Sequence, residues 1–279
     1  MKPPFAVKWL ACVALMACGS AQAKITCSLN SNGFSSAYVP SNTLQNITTG
    51  SVTMTCTRSK SGDATTLNYT IQVNNGLAVG TGGVNQAQSG GNRISYETYT
   101  NSSCTAPPWG TTTTIGGVVT FTSTNDFVSR SDTQPFWGCI PALQNKPAGT
   151  YTDTVTMTPS TGSSGTFGVS IVTPSSCSIS TPPGNITFTY MAFQPGTASA
   201  STNFATTCTS LLPYSMALDV TSGVLSGLQY DLALSSASAV GNGSAQTYSV
   251  TGTMASGQPG TCATGTCAAS AARQITITY

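Results

Sequence analysis

The sequence predicts an all-β protein built from two antiparallel β-sandwich domains. One cysteine-anchored pattern is written twice along the chain, and short runs alternate apolar with polar residues between clusters of Gly, Asn, Ser and Pro. No window carries a helical period of useful length, and strong helix formers are scarce. In the first copy Cys27 precedes Tyr38-Val39-Pro40, then Cys56, then Tyr96-Glu97, and the copy closes on residues 152–158. In the second, Cys177 precedes Phe193-Gln194-Pro195, then Cys208, then Tyr230-Asp231, and the copy closes on residues 273–279. The first two cysteines stand 29 residues apart in one copy and 31 in the other.

Taken in order, the chain opens on Lys2 and Lys8, an apolar stretch from Trp9 to Ala17, and Ala21-Gln22-Ala23, a small-x-small cleavage pattern. This predicts a signal peptide over 1–23 and a mature chain from Lys24. Leu15-Met16-Ala17-Cys18 loosely resembles a lipoprotein processing box, but Met16 fits it poorly and a better cleavage site follows. The first domain is expected over 24–159, with strands at 67–73, 118–121 and 151–157. Residues 160–176 read as a linker, because 160–165 are Ser, Thr and Gly only. Within it, 166–173 has strand alternation that puts Phe167, Val169 and Ile171 on one face. The second domain is expected over 177–279 and ends on an alternating run at 274–279.

Only 6% of residues are charged. Without Lys2 and Lys8 the chain carries seven basic and seven acidic residues, a neutral balance that argues against a nucleic-acid partner. Eight cysteines remain after the leader, four in each copy, and an even count in an exported chain reads as disulfides. Four cysteines allow three connectivities per domain. The repeat favours Cys27 with Cys56 and Cys177 with Cys208, leaving Cys104 with Cys139 and Cys262 with Cys267. Each matched loop, closed without strain, contributes on the order of 3 to 4 kcal/mol. No metal site is expected, since Cys262 and Cys267 have no second pair nearby and the chain has no histidine. No cofactor and no enzymatic activity are expected either. Histidine-based triads are excluded, and the carboxylates Asp63, Glu97, Asp126, Asp132, Asp153, Asp219 and Asp231 are scattered without a motif. Glu97 and Asp231 hold matched positions in the two copies, which suits a structural role.

Both copies resemble the spore coat protein U domain, the pilin module of archaic chaperone-usher pili. The likeness rests on the cysteine pattern, on Trp109-Gly110 beyond the Tyr96 strand and on residues 252–258 in the second copy. The resemblance implies immunoglobulin-like sandwiches, the second lacking an edge strand. It implies export through the periplasm to the cell surface. The partners would be a periplasmic chaperone, an outer-membrane usher and a neighbouring pilin subunit that inserts a donor strand. Only Lys24, Ile25 and Thr26 would precede Cys27 in the mature chain, too short for a donor extension at about 3.3 Å per residue. The expected role is therefore a tip adhesin that mediates attachment and biofilm formation, with Phe167, Val169 and Ile171 completing its first domain or, alternatively, lying on a linker strand packed between the domains. A minor structural pilin or coat protein without a receptor is the competing reading.

Binding groups are expected on loops of the first domain. The candidates are Leu77, Val79 and Val84 in a glycine-rich segment, Trp109 beside a diproline, Phe127, and Phe136 with Trp137 next to Cys139. Apolar loop tips suit an abiotic or host surface and bind independently of salt. Aromatic faces beside Asn125 and Asp126 would equally suit a carbohydrate. In the alternative reading Trp109 and Trp137 are core residues that cover a Cys104 to Cys139 bridge.

Overall fold

The computed structural model describes residues 25–262 and 265–279; the signal peptide and Cys18 readings lie outside the described residues. The first half contains β1 (Ile25–Ser31), β2 (Phe34–Ala37), β3 (Asn46–Arg58), β4 (Thr66–Val73), β5 (Asn85–Ser89), β6 (Asn92–Tyr99), β7 (Ile115–Thr120), β8 (Arg130–Ile140), β9 (Gly149–Pro159) and β10 (Gly165–Thr173). The second contains β11 (Cys177–Thr181), β12 (Ala198–Cys208), β13 (Pro213–Leu218), β14 (Ser222–Leu225), β15 (Leu228–Leu234), β16 (Ser238–Val240), β17 (Ala245–Met254) and β18 (Ile275–Thr278). Helical geometry among the described residues is confined to one 3-10 turn, Thr81–Gly83.

The first half is one ten-stranded sheet folded on itself, in the order β1-β3-β8-β6-β5-β9-β10-β2, with β4 paired to β7 and β9. The fold-over happens in β6. Its first part pairs with β5, as in Tyr96 opposite Asn85, and its last part pairs with β8, as in Glu97 opposite Cys139. A single strand thus serves both layers, and inward-facing residues of each layer meet between them.

Strand alternation decides what is buried. Along β9, Tyr151, Val155 and Met157 point inward, and along β10, Phe167, Val169 and Ile171 do the same. Phe167 stacks on Trp109 at 6.1 Å and an interplanar angle of 11°, and lies 5.0 Å from Phe136. Phe34 meets Tyr96 edge-on at 5.6 Å and Phe136 at 6.5 Å. This aromatic cluster spans both layers and draws on four strands and the 100–114 loop.

β10 is antiparallel to β9 from Gly165 opposite Met157 to Thr173 opposite Gly149, and parallel to β2 from Val169 opposite Phe34. Entry into β2 depends on Gly33, whose φ is +61° and whose missing side chain leaves room for the Gly168 carbonyl. A Cβ there would lie 2.0 Å from that oxygen. Gly33→Ala is expected to destabilise the first half by about 2 kcal/mol or more, combining left-handed strain with a backbone clash. Denaturation followed by tryptophan fluorescence checks this, because Trp109 and Trp137 both lie in the first half.

The second half is built from a five-stranded sheet, β11-β12-β17-β15-β14, and a three-stranded sheet, β16-β13-β18. It carries its own core around Phe204, Tyr214, Met216, Tyr230, Leu232, Val250 and Met254. The halves touch where Pro147 bridges to Ser210 and Asn145 Nδ2 donates to the Asn242 carbonyl at 2.6 Å. Disulfides join Cys27 to Cys56 and Cys177 to Cys208 across the first strand pair of each half, Cys104 to Cys139, and Cys262 to Cys267.

Candidate functional site: apolar loops and an open strand edge

β3 ends at Arg58, and the antiparallel pairing of β4 with β7 returns the 121–129 loop to the same end of the sandwich as the 59–65 loop. This end lies away from Pro147 and the second half. Arg58 is 1% exposed, and among the described residues no carboxylate lies within ion-pair distance of it. Its guanidinium donates instead to the carbonyls of Ser123 and Asp63, and lies over the Phe121 ring at 5.4 Å. A buried cation needs acceptors, and carbonyls from both loops supply them, so the two loops are tied together.

Above this anchor sits Asp126. Its carboxylate accepts from Arg130 Nε at 2.9 Å, Thr122 N at 2.9 Å, the Thr122 hydroxyl at 2.9 Å and Val128 N at 3.2 Å. The Arg130 guanidinium first, then the Thr122 amide, hold the Asp126 carboxyl well below the usual carboxylate range. The next two side chains are thereby turned outward, Phe127 being 47% exposed and Val128 64%.

A second apolar loop lies along the side. Leu77 is 76% and Val79 53% exposed, yet their backbone is fixed. Leu77 N donates to Asp153 Oδ1 at 2.8 Å, Asn74 Oδ1 accepts from Gly76 N and Thr156 N, and Val79 bridges to Asn85. Val84 is half-buried at the base of this loop and closes it through Gly80 N donating to its carbonyl at 2.7 Å.

Two expected contact residues are not at the surface. Trp109 is 2% exposed, its indole N–H donates to the Ile71 carbonyl at 2.9 Å and its ring fills the gap between the layers. Phe136 is fully buried because β8 alternation turns it inward. Its neighbour Trp137 faces outward, half-buried beside Thr100, Thr114 and Gln134. Val128 joins the exposed contact residues, and its place directly after Phe127 and two residues past an Asx-forming aspartate is the sequence signal for it. Leu44 and Leu143, 79% and 63% exposed, carry no comparable sequence signal.

Two of the other carboxylates tie strands to one another. Asp132 accepts from the Tyr69 hydroxyl at 2.8 Å and Val118 N at 3.0 Å. Asp153 accepts from the Tyr96 hydroxyl at 2.7 Å, and burial followed by this bond pushes the Tyr96 hydroxyl above the usual phenol range.

Of the sheet edges among the described residues, one in the second half lies beside a partly filled core. β18 pairs with β13 on one side, and among the described residues no strand pairs with its other side. Across the gap, residues 182–190 join no ladder, although Ile186, Phe188 and Tyr190 lean on the second core. In the first half the equivalent space between β9 and β2 is filled by β10. The consequence shows in burial. Among the described residues, twenty-four are buried in the first core with three partly buried against it, whereas the second core has eight buried and thirteen partly buried, Ile275 and Ile277 among them.

Among solved structures, the chain is similar to the chaperone–tip adhesion subunit pre-assembly complex CsuC–CsuE of archaic Csu pili from Acinetobacter baumannii. The identity is 14% over 91% of this chain and 100% of that one, with a TM-score of 0.45. The CupB6 tip adhesin of Pseudomonas aeruginosa is similar at 11% identity over 92% of this chain and 93% of that one, with a TM-score of 0.40. CfaE, the adhesive subunit of CFA/I fimbria of enterotoxigenic Escherichia coli, follows at 10% over 67% and 76%, with a TM-score of 0.23. A search of curated proteins gave no match. The model of the Spore Coat Protein U domain matches residues 13–158, more than half of the sequence and the whole of the first cysteine pattern, and the chain belongs to that family.

Proposed function

We propose that this protein is a tip adhesin of an archaic chaperone-usher pilus, exported through the periplasm to the cell surface, where it mediates attachment and biofilm formation. Its second half accepts a strand from a neighbouring pilin, and its first half presents apolar loops to an abiotic or host surface. The observation that carries this reading is the unpaired edge of β18, at the place where the first half holds β10. An exposed sheet edge beside partly buried apolar residues is what strand addition requires. A periplasmic chaperone would cover that edge before an usher exchanges it for the pilin strand. The tip position suits a chain whose first half is already closed by its own strand and so is free to act as a head. Phe127, Val128, Leu77 and Val79 supply that head with fixed apolar contacts at low ordering cost.

The test follows from the hairpin that joins β9 to β10. Appending a copy of residues 160–173 after Tyr279 places a strand where β18 is open. The second half is expected to gain at least about 3 kcal/mol through intramolecular strand addition, read as a rise in its unfolding transition by circular dichroism. The same extension with Ser at the three inward positions is expected to give no gain. If both extensions behave alike, β18 does not accept a strand and the reading fails.

A further inference from the structure

On the reading that β18 accepts a strand, we infer that the incoming strand carries a carboxylate side chain and that Arg273 is the residue that reads it. Arg273 stands two positions before β18, and strand alternation puts it on the same face as Ile275 and Ile277, which pack on the second core. Its side chain crosses to the opposite sheet, where Nε donates to the Tyr230 hydroxyl at 2.8 Å and the guanidinium lies over the Tyr230 ring at 5.6 Å. Nη1 donates to the Ala272 carbonyl at 3.2 Å. Asp219 faces this cation closely enough to have its own carboxyl lowered, chiefly by Gln274 N and in part by Arg273, but no carboxylate of the described residues lies within ion-pair distance of Arg273.

The first half shows what occupies the corresponding place when the strand is present. There the polar group that reaches from β9 to the matched tyrosine, Tyr96, is the carboxylate of Asp153, and it is buried with its acceptor sites filled by Tyr96 and Leu77 N. In the second half the charge is reversed, and the guanidinium stays exposed at the end of the open edge. A strand laid on β18 would cover it, and a covered cation whose present acceptors are all neutral gains most from an acceptor of opposite charge.

The register locates that acceptor. In the first half Phe167 lies opposite Val155 and Val169 opposite Asp153, so moving two residues up β10 moves two residues down β9. An antiparallel strand on β18 therefore brings one inward residue opposite Ile275 and, two positions later, another opposite Arg273. The partner has the pattern apolar-x-acidic, with the acid toward the C-terminal side of its apolar run.

Three labelled nonapeptides test this on the full chain by fluorescence anisotropy: the sequence of Gly165–Thr173, and its Val169→Asp and Val169→Asn forms. The Asp peptide is expected to bind about fivefold more tightly than the Asn peptide at low salt, with the difference shrinking in 1 M salt. In an Arg273→Gln protein the Asp and Asn peptides should bind alike, while binding of the unsubstituted peptide is unchanged. Equal binding of Asp and Asn peptides to the native protein overturns the role of Arg273 and leaves the open edge standing. Failure of all three to bind overturns both.

Discussion

Replacing Phe167 with alanine is expected to destabilise the first half by about 3 to 5 kcal/mol, a large share of the stability of a domain this size. Phe167 is 2% exposed and belongs to a cluster in which its ring stacks on Trp109 and packs against Phe136, so its removal opens a cavity that three elements line. β10 cannot slide to refill the space, because its backbone is held by β9 on one side and β2 on the other. The loss is read by denaturant titration of tryptophan fluorescence, since Trp109 sits against the deleted ring. Val172→Ser on the same strand is the control: Val172 is 40% exposed on the outer face, and its replacement should change stability by less than about 0.5 kcal/mol. A Phe167→Ala protein within about 1 kcal/mol of the parent would mean that β10 does not close the first core.

The alternation of Phe167, Val169 and Ile171 was enough to place these residues on one face, because a strand buried on one side imposes period two on its own sequence. For the same reason residues 67–73 and 151–157 read directly as strands, and they form most of β4 and β9. Two other kinds of fact were out of reach. Trp109 and Phe136 look like loop-tip residues from their Pro, Gly and Cys neighbours. Their burial is decided by Ile71, whose carbonyl takes the indole N–H from 38 positions away, and by Phe167. Local composition holds no trace of a partner that distant. Nor does the sequence mark β6 as the strand that changes layers, since both of its parts alternate in the same way and only the pairing partners differ. The open edge of β18 is a comparison between halves. The family resemblance implies a missing edge strand in the second half, but which strand is left unpaired is a fact of the pairing.

Exchanging Phe127 and Val128 together for serine is expected to lower attachment to a nonpolar surface by about tenfold or more while leaving the first half as stable as before. Both side chains face solvent, so their removal costs the fold little, whereas burying them against a solid supplies roughly 25 cal/mol per Å² of apolar area. The readout is retention of the protein on polystyrene beads, with thermal unfolding in parallel. Free monosaccharide is expected to leave retention unchanged, and inhibition by a sugar would move the binding face to the aromatic and Asn groups instead. Acid separates the tip from its clamp. The Asp126 carboxyl is held low in the folded protein, chiefly by Arg130, so it stays ionised below the pH at which it takes up a proton in the unfolded chain. Its contribution is complete above the ordinary carboxylate range, near pH 4, and declines only as the pH falls further toward the lowered value. Retention is therefore expected to be flat from pH 8 to pH 4 and to fall in stronger acid as Phe127 and Val128 lose their fixed orientation. Loss of retention already between pH 6 and pH 5, with the fold intact, would show that a group other than Asp126 holds the tip.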